Sequence, residues 1–188
     1  MERRELLKLI ALATGSAFIG GELFLSGCKN APALGGATFS EEDISFLDEV
    51  AETIIPKTTT PGAKDAAVGS FMTVMVNDCY DKKDQDIFHA GIKKLDDACQ
   101  KAHNASFMKA TPEQRTSLLT TLDTEAKEHQ KSKQKDDPNH YFTMMKQLTL
   151  FGFFTSKPGA TQVLRHEPVP GKYDGAYPYK KGDRAWAE

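Results

Sequence analysis

Ser40-Glu41-Glu42-Asp43-Ile44-Ser45-Phe46-Leu47-Asp48-Glu49-Val50-Ala51-Glu52-Thr53-Ile54-Ile55-Pro56 is the stretch on which the fold turns. Ser40 suits an N-cap, and three acids in the first turn suit the positive end of a helix. Ile44, Leu47, Val50, Ala51, Ile54 and Ile55 then recur on one face, at helical and not strand spacing. Pro56 stops the helix, and Thr58-Thr59-Thr60-Pro61-Gly62 reads as a turn.

The same period continues outward. A second helix is predicted from Val68 to Tyr80, with Phe71, Met72, Met75, Val76 and Cys79 facing inward. A third is predicted from about Lys83 to Ala102, carrying Phe88, Ile92, Leu95, Cys99 and Ala102. Thr111-Pro112-Glu113-Gln114 is a capping box with Pro at the first helical position, and it opens a fourth helix through Leu118, Leu119, Leu122 and Ala126. The lysine-rich stretch 128–139 reads as a solvated helix end and loop. A fifth helix holds Tyr141, Phe142, Met145, Leu148 and Phe151. No segment alternates with period two. The reading is therefore all-α, a single-domain bundle of about five helices followed by an irregular Gly/Pro/aromatic tail.

Composition bounds the function. The chain has 188 residues, 24 Lys+Arg against 26 Asp+Glu, and a net charge of −2. That balance offers no electrostatic footprint for nucleic acid. Three cysteines do not make a disulfide framework. Placed on a hairpin of helices two and three, Cys79 and Cys99 fall about 14 residues apart along the axis, roughly 21 Å and beyond disulfide reach. Both are expected to be small core residues.

The N-terminus is read as an address. Arg3-Arg4 precede Leu6-Leu7-Lys8, and an apolar run reaches Leu25-Ser26-Gly27-Cys28. A basic start, an apolar middle and small residues at the cut form an export signal. Arg3 and Arg4 resemble a twin-arginine signal, and residues 25–28 resemble a lipobox with Cys28 as the lipidated thiol. Residues 1–27 are thus expected to be an export signal, 28–39 a tether and 40–188 the folded domain.

The helical body carries few patterns that suit chemistry. Asp86/His89 and Asp137/His140 have i, i+3 spacing, but the carboxylate bundles that bind two irons use Glu-x-x-His on two inward faces, and here a Pro interrupts the second copy. Glu125 and His129 lie in the most charged part of the chain. There is no Cys-x-x-Cys-His, no Gly-x-Ser-x-Gly and no Gly-rich nucleotide loop. The reading assigns no catalytic, cofactor-binding or metal-ligating residue. The tail differs: it carries the only Trp and three of the five Tyr on Gly/Pro-rich backbone. Aromatics held on stiff irregular chain give contact area at low ordering cost, which suits a partner surface. Folding back onto its own bundle is the other reading of the tail.

Glu52-Thr53-Ile54-Ile55-Pro56 with Thr60-Pro61-Gly62-Ala63 resembles the opening of the gluconate 2-dehydrogenase subunit 3 family. The run from Lys146 to Ser156, and Val169-Pro170-Gly171-Lys172-Tyr173-Asp174-Gly175, resemble two later motifs; Arg184-Ala185-Trp186-Ala187 is similar too. His166 and Ala176 depart from the family pattern, where Tyr and often Cys are usual.

The resemblance implies a cofactor-free small subunit of a membrane-associated dehydrogenase oxidising a sugar, sugar acid or polyol. FAD would sit in a large flavoprotein subunit of the glucose-methanol-choline class, and a c-type cytochrome often accepts the electrons. The small subunit would support maturation and export of its partner, in the periplasm and anchored to the membrane through Cys28. With the tail composition, it nominates Pro56, Pro61, Gly62, Phe153, Phe154, Pro170, Gly171, Tyr173, Tyr177 and Trp186 as a partner interface. The competing expectation is a stand-alone envelope lipoprotein that binds a ligand or scaffolds an assembly.

Overall fold

Ser40 begins the folded body as its sequence dictates. Its hydroxyl accepts from the Asp43 N–H at 3.1 Å, and the Asp43 carboxylate accepts from the Ser40 N–H at 2.9 Å. Two otherwise orphaned donors are satisfied reciprocally. The computed structural model describes residues 38–169 and 171–187. Arg3, Arg4, Cys28 and Pro170 lie outside the described residues.

Five α-helices follow among the described residues: α1 (Glu41–Ile54), α2 (Val68–Cys79), α3 (Lys82–His103), α4 (Pro112–Ser132) and α5 (Tyr141–Thr155). Short 3-10 turns at Lys64–Ala66 and Phe107–Lys109 join α1 to α2 and α3 to α4. The only strand pairing described is a two-residue parallel bridge, β1 (Arg165–His166) with β2 (Trp186–Ala187). None of the described helices is long and apolar enough to cross a membrane. The all-α reading and its helix order hold.

Side chains from neighbouring elements finish the helix ends. α4 starts with the expected box: Thr111 Oγ1 accepts from the Gln114 N–H, and Gln114 Oε1 accepts from the Thr111 N–H. α3 is capped by Asp81, which accepts from the Asp84 N–H at 2.9 Å. α2 has no capping side chain of its own. Asp48 of α1 reaches across instead, accepting from the Gly69 N–H at 2.7 Å. One carboxylate thus satisfies an orphan amide at a positive helix end and fixes the α1–α2 crossing.

α5 is the centre of the bundle, packing against all four other helices. Tyr141, Phe142, Met144, Met145, Leu148 and Phe153 are all buried from this one helix. They meet Leu47, Val50, Met72, Val76, Phe88, Leu95 and Leu119 in a single core. Each large side chain buried this way contributes roughly 1.5–3 kcal/mol. Gly152 is required by packing: a Cβ there would lie 2.5 Å from the Phe71 ring. Lys146 of α5 pairs with Asp123 of α4 at 2.6 Å, and Lys127 joins the same carboxylate at 2.7 Å.

Two sequence expectations need correction. Cys79 is exposed and not a core residue. It is the last residue of α2, where the helix has run past the core it packs on. Cys99 is buried as expected, and burial with nearby Asp96 pushes its thiol above the usual range. Ala102, given an inward place on the third helix, is exposed near that helix's end. The fifth helix, for which no end was assigned, runs past Phe151 to Thr155.

Candidate functional site: an apolar helix face and a clasped tail

The loop after α1 hangs from Glu52. Its carboxylate accepts from the Lys57 N–H and the Lys64 N–H, both at 2.8 Å, drawing the two ends of the turn together. Gly62 fits only because it has no side chain, since a Cβ would collide with the Glu52 carboxylate and sit 2.6 Å from the Lys57 nitrogen. Asp65 accepts from the Gly62 N–H at 3.1 Å and pairs with Lys57 Nζ at 3.0 Å. Lys57 first, and then the Gly62 amide, hold the Asp65 carboxyl below its ordinary range. Pro56 is exposed, Pro61 half-buried and Gly62 buried. Thr58, Thr59, Thr60 and Pro61 line one wall of an open groove of about 510 Å³, with Lys157, Pro158 and Gln162 opposite. The loop motif therefore adjoins the turn that follows α5.

Behind this loop, Glu49 ties three segments. It pairs with Arg115 of α4 and with Lys64. Arg115 also donates to the Phe107 and Met108 carbonyls, at 2.9 and 2.8 Å, and lies over the Phe107 ring. Burial raises the Glu49 pKa, but the hydrogen bonds from Lys64 and Arg115 outweigh it and hold the carboxyl below its usual value. All three guanidinium nitrogens of Arg115 donate within this knot, which therefore serves to hold the fold.

α5 carries more apolar residues than one face can bury. Leu150, Phe151 and Phe154 fall at i, i+1 and i+4 and are exposed; Phe151 is 52% and Phe154 38% accessible. α2 extends this stripe: Phe71 meets Phe151 edge-on at 5.6 Å, and Val74 is 55% accessible. Phe153 and Phe154 were nominated together, yet consecutive helical residues point about 100° apart. Phe153 is 1% accessible and belongs to the core, so only Phe154 faces outward. Leu150, Phe151 and Val74 were missed as surface residues. For Leu150 and Phe151 the signal was the surplus of apolar positions on α5, of which the sequence reading gave Phe151 to the core and left Leu150 unplaced.

The tail leaves α5 at Ser156, whose Oγ donates to the Phe153 carbonyl and accepts from the Gly159 N–H. A π-turn (Gly159–Val163) follows, and Val163 packs on the core. The chain then makes an excursion that returns to the parallel bridge, where Arg165 N–H donates to Ala185 O and Glu167 N–H to Ala187 O. The Arg165 guanidinium lies over both Trp186 and Tyr177, and these rings meet edge-on at 5.4 Å. Arg184 donates to the Gln162 carbonyl at 3.0 Å. Tyr177 and Trp186 are therefore partly used in closing the loop. Gly171, at φ +72°, turns the chain where a side chain would strain it. Tyr173 stands clear at 96% accessible. The tail folds chiefly on itself; only its first turn covers the bundle.

Among the described residues one pair of histidine rings meets, His129 with His140. His89 stacks on Phe39 at 4.0 Å, at the edge of the segment read as tether, and Phe39 also meets Phe88 edge-on. His140 caps α5, and His129 lies near it. Among the described residues no group of three or more His, Cys, Asp or Glu is placed to hold a metal.

Fold and surface together define an all-α domain with an apolar outer face and a clasped aromatic tail. Residues 41–171 match the family described as Gluconate 2-dehydrogenase subunit 3, and the chain belongs to that family. The family's name makes it one subunit of a multi-subunit dehydrogenase. The match takes in the Glu52–Gly62 loop, all of α5 and the tail as far as Gly171. No curated protein and no solved structure matches the chain.

Proposed function

We propose that this chain is the non-catalytic small subunit of a periplasmic, FAD-dependent dehydrogenase of the glucose-methanol-choline class, acting on a sugar, sugar acid or polyol. The large flavoprotein subunit carries FAD and the chemistry, and a c-type cytochrome can take its electrons. The small subunit steadies that partner through maturation, carries it through export by the Arg3-Arg4 signal and anchors it by a lipid on Cys28.

The observation that carries this reading is the exposed stripe of Leu150, Phe151 and Phe154 with Val74, on a chain whose family is a dehydrogenase subunit. Aromatic side chains at the centre of an interface supply most of its binding energy, whereas exposed in a monomer they gain little. The stripe is contiguous with the tail through Phe154, beside which the Gly159 turn packs. The partner is thus met by a rigid helix face and by Tyr173 and its neighbours.

Co-purification tests it. The tagged chain expressed with its neighbouring genes should bring down a yellow flavoprotein, and Phe151→Glu should release it while helicity is kept. Arg3→Lys with Arg4→Lys should strand the flavoprotein in the cytoplasm. A stable monomer without any flavoprotein would support the stand-alone envelope lipoprotein instead.

A further inference from the structure

We propose that His140 and His129 form an acid-sensitive latch that fixes the first turn of α5 against α3 and α4. His140 is the N-cap of α5, with extended backbone (φ −62°, ψ 138°), and its Nδ1 accepts from the Phe142 N–H at 3.3 Å. Accepting requires a bare Nδ1, so the neutral ring carries its proton on Nε2. A second proton turns the acceptor into a donor and removes the cap. It also places a cation where the helix's free amides already point positive.

Every element packed here bears on that charge. From α4, the His129 ring lies 5.9 Å away, centroid to centroid, and its Nδ1 is buried without a hydrogen-bond partner among the described residues. Glu125 of α4 favours the charged ring, while His129 and Lys94 of α3 oppose it. On α5 itself, Tyr141 packs 4.4 Å from the His140 ring, and burial pushes its hydroxyl up to about 12, so it supplies no counter-charge. In the preceding loop Lys133 Nζ donates to Asn139 Oδ1 and the Asp137 carbonyl, the Asp137 carboxylate accepts from the Gln134 N–H, and Lys135 and Asp136 are exposed. Burial above all, then His129, holds the His140 pKa below its ordinary value of 6.5.

The sign follows. A locally opened α5 binds the proton more readily than the closed form. The latch is complete above about pH 6.5 and is lost as pH falls through the lower, folded value. The helix it releases is the one that bears Leu150, Phe151 and Phe154. The latch depends on this chain alone, whatever partner the stripe meets.

Amide hydrogen exchange on the full-length protein tests it, read at Phe142–Met145 with Met72–Val76 of α2 as the internal reference. Between about pH 7.5 and 5.5, after correction for intrinsic rates, protection at the start of α5 should fall about two- to tenfold, ten being the most that one group of unfolded value 6.5 can give over that window, while α2 holds. His140→Asn keeps a capping side chain that does not titrate, and should abolish the difference; His129→Gln should shrink it. A wild-type protein with no such fall, or a His140→Asn variant that keeps it, overturns the latch. Imidazole nitrogen spectra of the wild type give an independent readout: an Nδ1–H tautomer, or a charged His140 ring at neutral pH, overturns it as well.

Discussion

The Arg165 guanidinium lies 4.3 Å from the centroid of the Trp186 ring, across a parallel bridge that also pairs the two residues' backbones. At an exposed site such a cation–π contact contributes about 0.5–1 kcal/mol. Its importance is topological, because it closes the excursion between residues 167 and 185. Arg165→Ala should therefore speed proteolytic cutting within that excursion severalfold. The thermal midpoint of the bundle should hardly move. Limited proteolysis followed by mass mapping, beside a thermal melt, checks both halves.

Phe153 and Phe154 give a paired test of core against surface. Phe153→Ala removes a fully buried ring from the meeting point of the bundle and should cost about 3–5 kcal/mol in denaturant unfolding. Phe154→Ala should stay within about 0.5–1 kcal/mol, the range of surface changes. If the apolar stripe docks the flavoprotein, the second variant and not the first should lose it while remaining fully folded.

Arg115→Ala leaves the Glu49 carboxylate with Lys64 alone and strips the Phe107 and Met108 carbonyls of their side-chain donor. Both side chains of the pair are largely buried, so roughly 2–4 kcal/mol should be lost in chemical denaturation. The same carboxylate gives an acid dependence. Its folded pKa is depressed, so its contribution is present above the unfolded value of 4.5 and disappears as pH falls through the folded one. The wild-type denaturation midpoint should drop on acidification through that window. In Glu49→Gln the drop should be smaller.

Gly62→Ala forces a methyl group onto the Glu52 carboxylate. Either the carboxylate leaves the Lys57 and Lys64 amides, or the turn shifts. A loss of about 1–3 kcal/mol is expected, with faster amide exchange at those two residues. Glu52→Ala should reproduce the exchange change without any steric cause, which separates the lost bonds from the clash.

Most of the bundle was legible because its signals are local. Ser40, Pro56 and the Thr111-Pro112-Glu113-Gln114 box mark helix ends by chemistry that needs no tertiary partner, and four of the five helix starts fell within one residue of their structural positions. The second helix also begins where it was placed, at Val68, although its cap comes from Asp48 on another helix, which no local pattern encodes. Periodicity identified apolar positions but not how many of them the bundle could cover. Phe151 was therefore read as core, and Phe153 and Phe154 were nominated alike. Cys79 failed for a related reason: near a helix end the correct face no longer guarantees a neighbour. The tail's aromatic content was visible, but its closure joins Arg165 to Trp186, a non-local pairing that composition cannot reveal.

α5 has a consequence for how this chain can vary. Its inner residues fill the core of the other four helices, and Lys146 is committed to Asp123. If its outer residues are committed to a second protein, only Gln147 and Thr155 remain as exposed polar positions. Such a helix has almost no face on which substitutions are silent. Across relatives, the exposed loop residues 134–137 should drift freely while α5 stays nearly still, and any change at Phe151 or Phe154 should be matched by a compensating change in the partner's gene.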